Sequence, residues 1–209
     1  MIVLAVVNLK GGSTKTTTAA FLAHVLYEQG QRVILVDADP QGSALAWADA
    51  AGGWPLPVVG MATKGLHRDL RGVVGPDRDV VVIDTPPLED HSGIVMSALR
   101  VATDVLVPLA PTPIEVDRMS AVREAITAAA DLRPGGEPPR VAVLLTRTVP
   151  NAVSTPTWRQ ALSFAGDRVL KTQVGRLERF SQAYGDPIER ASATAYGDVV
   201  AELWNEGQS

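Results

Sequence analysis

Ile2-Val3-Leu4-Ala5-Val6-Val7-Asn8-Leu9-Lys10-Gly11-Gly12-Ser13-Thr14-Lys15-Thr16-Thr17-Thr18 decides how the rest of the chain is read. An apolar run, a glycine turn and a Lys-Thr pair opening an Ala-rich segment describe a strand, a tight loop and the start of a helix. That arrangement aims backbone N–H groups and a helix N-terminus at phosphate. Lys15 would reach the β- and γ-phosphates of a nucleotide, and the Thr16 hydroxyl would ligate Mg²⁺. The plain alternative is a tight βα turn carrying a solvated lysine.

Working outward, the same alternation repeats along the chain. Ile2–Val7, Arg32–Val36, Asp79–Ile83, Asp104–Leu109 and Arg140–Leu145 read as strands, the first, third and fifth almost continuously apolar, as in parallel strands covered on both faces. Thr16–Gln29, Ser43–Ala51, Leu66–Val74, Gly93–Ala102 and Ile114–Leu132 have helical length and apolar spacing. Strand–helix alternation implies βαβ units, hence an α/β fold with a doubly wound, mainly parallel sheet flanked by helices. Val58-Val59 reads as a short edge strand, and Arg133–Pro139 as a helix-to-strand connection. After Leu145 the pattern weakens, leaving only a helix near Thr157–Ala165 and a closing one near Ala195–Glu206.

Two further clusters fall at strand ends. Val36-Asp37-Ala38-Asp39-Pro40-Gln41 sets two carboxylates where the second strand stops, and Val80–Ile83 is closed by Asp84-Thr85-Pro86-Pro87, in the manner of a Walker B element. A lone Asp at a strand end is usually a cap or turn former. Three clusters on one edge point instead to a ligand, because open α/β sheets bind outside the carboxyl ends of their strands.

Composition narrows the chemistry. At 209 residues the chain can bury roughly 70% of its unfolded surface, enough for one core, and a single domain over residues 1–209 is expected. With no cysteine there is no disulfide framework, no thiol nucleophile and no Cys-based metal site, and the three histidines lack metal-ligand spacing, so metal chemistry must rest on oxygen. The net charge of −4 argues on average against nucleic acid. It hides an asymmetry: residues 1–132 hold ten cations against fifteen carboxylates, while residues 133–190 hold nine against five. A basic stretch in an acidic chain is either a solvated surface or an anion-binding face. No apolar run is long enough to span a bilayer and no leader precedes the first strand, so a cytoplasmic protein is expected.

Lys10-Gly11-Gly12-x-x-Lys15-Thr16-Thr17 resembles the deviant Walker A motif of the ParA/MinD family of P-loop ATPases, marked by a lysine before the glycines. Asp37-x-Asp39-Pro40-Gln41 and Val80–Pro87 resemble its next two motifs in order and spacing, and Tyr184-Gly185-Asp186-Pro187-Ile188 with Ala195-Tyr196 resembles its C-terminal pattern more loosely. The resemblance implies ATP/ADP and Mg²⁺ as cofactors and an ATP-dependent sandwich homodimer. In it Lys10 would reach the phosphates bound by the other subunit, while Gly11, Gly12, Ser13, Thr14, Lys15, Thr16 and Thr17 would cradle them in cis. Asp37 and Asp84 would organise the Mg²⁺ shell with Thr16, Asp39 would orient the attacking water, and Thr146-Arg147 would wall the adenine pocket. Thr14 departs from the pattern, which has glycine there. A β-branched residue at φ > 0 costs on the order of 1–3 kcal/mol.

With no helix-turn-helix ahead of the first strand, the chain is most similar to the small ParF-like partition ATPases, which leave centromere recognition to a separate ParB-type partner. MinD-like members end in a basic membrane helix. Val199–Glu206 is acidic here, so no membrane role is expected. The resemblance also gives the basic stretch a use, non-specific binding of nucleoid DNA by the ATP dimer, with Arg176 and Arg179 as candidates. The implied function is therefore DNA partition with slow, partner- and DNA-stimulated ATP hydrolysis. The alternatives are a nucleotide-binding scaffold whose hydrolysis Thr14 impairs, and a biosynthetic P-loop enzyme of the dethiobiotin-synthetase or cobyrinate-amidase type.

Overall fold

In the computed structural model, which describes residues 1–205, the strands are β1 (Ile2–Val6), β2 (Val33–Asp37), β3 (Val58–Gly60), β4 (Val80–Asp84), β5 (Asp104–Leu109), β6 (Arg140–Thr148) and β7 (Val169–Gly175). They form one sheet in the order β3-β2-β4-β1-β5-β6-β7, every pair parallel. The helices are α1 (Lys15–Glu28), α2 (Ser43–Ala50), α3 (Leu66–Val74), α4 (Leu88–Val101), α5 (Pro113–Asp117), α6 (Met119–Asp131), α7 (Ser154–Phe164), α8 (Glu178–Ser181) and α9 (Ala195–Asn205).

Side chains along a strand alternate between faces, so each strand feeds two cores. Val3, Ala5 and Val7 pack with Leu70, Val95, Leu99 and Ile126 of α3, α4 and α6. Leu4 and Val6 pack with Leu22, Trp47, Phe180 and Tyr196 of α1, α2, α8 and α9. Leu4, Leu35, Ile83 and Leu106 are wholly buried, and truncating such a residue to Ala costs about 2–5 kcal/mol. A strand core covered on both faces is why the sequence shows unbroken apolar runs here.

The structure departs from the sequence expectations most clearly at α4, at α5 and α6, and at β7. α4 begins at Leu88, five residues before the expected Gly93, because Glu89 and Asp90 favour a helix N-terminus; non-helical His91 (φ −134, ψ 46) interrupts the apolar period. The helix expected over Ile114–Leu132 is divided at Arg118 into α5 and α6. β7 was not legible at all. It pairs with β6 through register shifts, Val143 opposite Val169 but Leu145 opposite Gln173, so regular alternation is lost. Glu206, expected to close the last helix, lies outside the described residues.

Candidate nucleotide site

β1 ends against β4, with Val6 in register with Asp84, and β4 lies beside β2, with Asp84 in register with Asp37. Sheet order alone therefore brings the glycine loop and both strand-end carboxylates to one edge. The loop turns through left-handed residues at Gly12 (φ 70) and Thr14 (φ 65) before α1 starts at Lys15. The first helical bond runs from the Thr18 N–H to the Thr14 carbonyl, and no side chain caps the helix. Among the described residues, the amides of Lys15, Thr16 and Thr17 thus keep their donors unused at the positive end of the helix, the arrangement that receives an anion.

Lys15 is 6% exposed, and its amino group donates to the Lys10 carbonyl at 2.9 Å and the Ser13 hydroxyl at 3.4 Å. Burial lowers its pKa, against the pull of Asp84 and Asp39. Lys10 points away from the loop and pairs with Glu89 at the start of α4, both partners being partly exposed. The same helix start is tied to the loop by the Leu88 and Glu89 amides, which donate to the Asn8 and Leu9 carbonyls.

The two strand-end carboxylates have different surroundings. Asp37 accepts the Asp39 amide on one oxygen and the Ala44 and Leu45 amides on the other, so it secures the first turn of α2. The same carboxylate was expected to help organise a Mg²⁺ shell; the three amides fix its orientation at the strand end, in register with Asp84. Asp84 is fully buried with no hydrogen-bond partner on either oxygen. Burial pushes its carboxyl up to about 7, opposed by the Thr16 hydroxyl, which lies near it without hydrogen-bond geometry, and by Lys15. Unpartnered charge is costly inside a protein, and a cation beside it removes that cost. An orphaned carboxylate, a neighbouring Thr hydroxyl and free helix amides fit Mg²⁺ with a phosphate. No cluster of three His, Cys, Asp or Glu that could hold a metal occurs among the described residues, so most ligands would come from phosphate and water. Asp39 stands half-exposed at the exit of β2, one oxygen taking the Gln41 amide.

Beside the loop lies a cavity of about 570 Å³ lined by Thr14, Thr17, Thr146, Arg147, Arg176 and Tyr196, among others. Arg147 stands where an adenine wall was expected, held at φ 54. Sequence reasoning missed Glu115, which also lines the cavity with one oxygen on Arg118 and the other buried without a partner. The strand-end rule applied to β5 would have found it. Tyr196, buried with its hydroxyl 3.2 Å from that of Thr18, gives the C-terminal Ala195-Tyr196 pattern a physical role. Arg176 and Arg179, the candidates for DNA contact, line different cavities: Arg176 faces this one, and Arg179 lies over the Phe180 ring and lines another of about 670 Å³. That second cavity contains none of the carboxylates or loop residues just described. No helix among the described residues is long and apolar enough to cross a membrane.

The chain is 30% identical to maintenance of carboxysome distribution protein A of Halothiobacillus neapolitanus, over 97% of this chain and 93% of that one. It is 28% identical to the chromosome-partitioning ATPase Soj of Thermus thermophilus, over 93% and 90%. Its fold matches a structure described as cobyrinic acid a,c-diamide synthase of Mycobacterium smegmatis with bound ATP analog and magnesium (TM-score 0.78, 23% identity, 100% of this chain and 96% of that one). The sequence pattern of the CobQ/CobB/MinD/ParA nucleotide binding domain matches residues 4–188. A match that runs from the first strand to the approach of the last helix, on a sheet already organised around a P-loop, makes the chain a member of the CobQ/CobB/MinD/ParA family of P-loop ATPase domains.

Proposed function

We propose that the protein is a ParA-type ATPase that distributes DNA, a plasmid or chromosome, by cycling between an ATP-bound dimer on nucleoid DNA and a released form. The observation that carries the reading is the single sheet edge at which free helix amides, buried Lys15 and unpartnered Asp84 converge. In this reading the amides from Gly11 to Thr17 and the Lys15 amine hold the phosphates, and Asp39, the exposed acid of the group, orients water. Mg²⁺, held by Thr16 and through water by Asp37 and Asp84, would supply charge neutralisation at the phosphates. Positioning and electrostatics are enough for phosphoryl transfer. Lys10, paired with Glu89 on the surface, is free to exchange that partner for the phosphates of a second copy at small cost, since exposed ion pairs contribute only about 0–1 kcal/mol.

The relatives' names support distribution of a cargo, one of a chromosome and one of carboxysomes. A carboxysome-like cargo in place of DNA is therefore the second reading. DNA would meet the exposed arginines of the basic stretch; a ParB-type partner would trigger release. The amidase reading has the shared domain family and a fold likeness behind it, and neither sequence relative named above carries it.

The test is ATP hydrolysis and ATP-dependent retention on duplex DNA. Lys15→Ala should lower turnover at least a hundredfold, and retention should require ATP and fall steeply with salt. Arg179→Glu and Arg190→Glu, chosen outside the nucleotide cavity, should weaken retention while leaving basal hydrolysis intact. Turnover indifferent to Lys15→Ala would overturn the P-loop assignment. ATP binding without turnover would favour the scaffold, and hydrolysis without DNA retention the non-DNA cargo.

A further inference from the structure

Thr14 occupies the loop position where the family pattern has glycine, and it does so in a conformation suited to glycine, φ 65 and ψ 18. A threonine next to a helix start ordinarily turns its hydroxyl onto the helix amides. Thr14 does not. Its hydroxyl donates to the Thr146 hydroxyl at 3.2 Å, across 132 residues of sequence, near the end of β6. Thr146 is 1% exposed, and the next residue, Arg147, is also left-handed without being glycine.

Two of the four non-glycine residues with positive φ among those described therefore flank one hydroxyl pair, and both line the cavity beside the loop. Strained backbone persists where its surroundings hold it. The turned-away hydroxyl has a second effect: it leaves the amides of Lys15, Thr16 and Thr17 open to an anion, where the usual cap would engage them. The contact joins the loop that faces phosphate to the strand whose end lines the same cavity.

We propose that the Thr14–Thr146 hydroxyl pair is a strut setting the distance and orientation between the phosphate loop and the β6 end of the cavity. Thr14 and Thr146 are then positioning residues for nucleotide affinity, acting through the loop and the strand end that they tie together. This rests on the nucleotide reading above. A strut of two hydroxyls has a recognisable energetic signature: either end alone is useless, so the effects of removing the two ends do not add.

The experiment measures Mg-ATP and Mg-ADP affinity with fluorescent nucleotide analogues, alongside thermal melting, for Thr14→Ala, Thr146→Val, the double variant, Thr14→Ser and Thr14→Gly. Thr14→Ala and Thr146→Val should each weaken both nucleotides about fivefold, the scale of one hydrogen bond. The double variant should be no weaker than either. Thr14→Ser should bind like the unaltered protein. Thr14→Gly should melt no lower, since it relieves backbone strain, yet bind about fivefold more weakly; a purely structural role would lower the melting point instead. Fivefold losses that multiply in the double variant, or full affinity in Thr14→Gly, would overturn the strut. Failure of the unaltered protein to bind either nucleotide would overturn the nucleotide reading itself, and the strut with it.

Discussion

At the residue scale, Asp37 and Asp84 carry the main lesson. Both end apolar strands and lie in register on neighbouring strands, and what separates them is the chain that follows each. Asp37 receives three amides because the chain after β2 doubles back into α2; Asp84 receives none because β4 leads into Thr85-Pro86-Pro87, whose prolines have no N–H to offer. An ionised carboxylate buried without partners destabilises the fold by an amount on the order of 1–4 kcal/mol. Asp84→Asn should therefore melt several degrees higher than the unaltered protein in Mg²⁺-free buffer at pH 8, and should lose Mg²⁺-dependent strengthening of nucleotide binding. Calorimetry with and without Mg²⁺ checks both; a lower melting point in Asp84→Asn would show that Asp84 is not a strained group.

At the scale of elements, β7 explains where sequence reading stops. Between its first and later pairings with β6 it contains two more residues than its partner, so ladder bonds are missing around Leu170–Thr172. Other elements supply them. The Lys171 and Thr172 amides donate to the two oxygens of Glu202 from α9 at 2.5 and 2.8 Å, and Arg159 from α7 donates to the Leu170 carbonyl. An edge strand whose loose groups are covered in this way is also shielded from pairing with another chain. Burial alone would raise the pKa of Glu202, but the Thr172 and Lys171 bonds outweigh it and hold the group below its ordinary value. A lowered carboxyl pKa contributes stability above the unfolded value, lost as pH falls through the folded one. Glu202→Ala should cost about 1–3 kcal/mol at pH 7, read by urea unfolding, with most of the difference gone in acid. The strand was illegible because its hydrogen bonds are tertiary. β1 and β4, whose ladders are regular and whose faces are both covered, could be read directly.

At the scale of the whole molecule, the two cores on either side of the sheet set the pH response. His24 of α1 is 1% exposed, held by its Nδ1 to the Ala20 carbonyl at 2.8 Å and packed edge-on to Trp54. Burial lowers its pKa from the ordinary 6.5, so the folded state prefers it neutral. The unfolded chain then binds more protons below pH 6.5, and the stability His24 contributes is present above that pH and lost as pH falls through it. Asp84 acts in the opposite sense, its raised pKa making stability fall as pH rises towards 7. Comparing variants isolates the histidine: from pH 7.5 to 5.5 the unaltered protein should lose more melting temperature than His24→Asn, which cannot titrate. Equal losses would show that His24 charges freely in the folded state.

Sequence alone determined the parallel α/β architecture, the phosphate-facing loop and the gathering of acids at one sheet edge, because apolar period, glycine placement and strand-end position are local properties that sheet topology then brings together. Only the tertiary structure decided that the α2 amides arrive at Asp37, that Arg176 faces the nucleotide cavity and Arg179 does not, and that Thr14 reaches Thr146. Those outcomes depend on which distant backbone group arrives within hydrogen-bond reach, and no spacing along the chain encodes that.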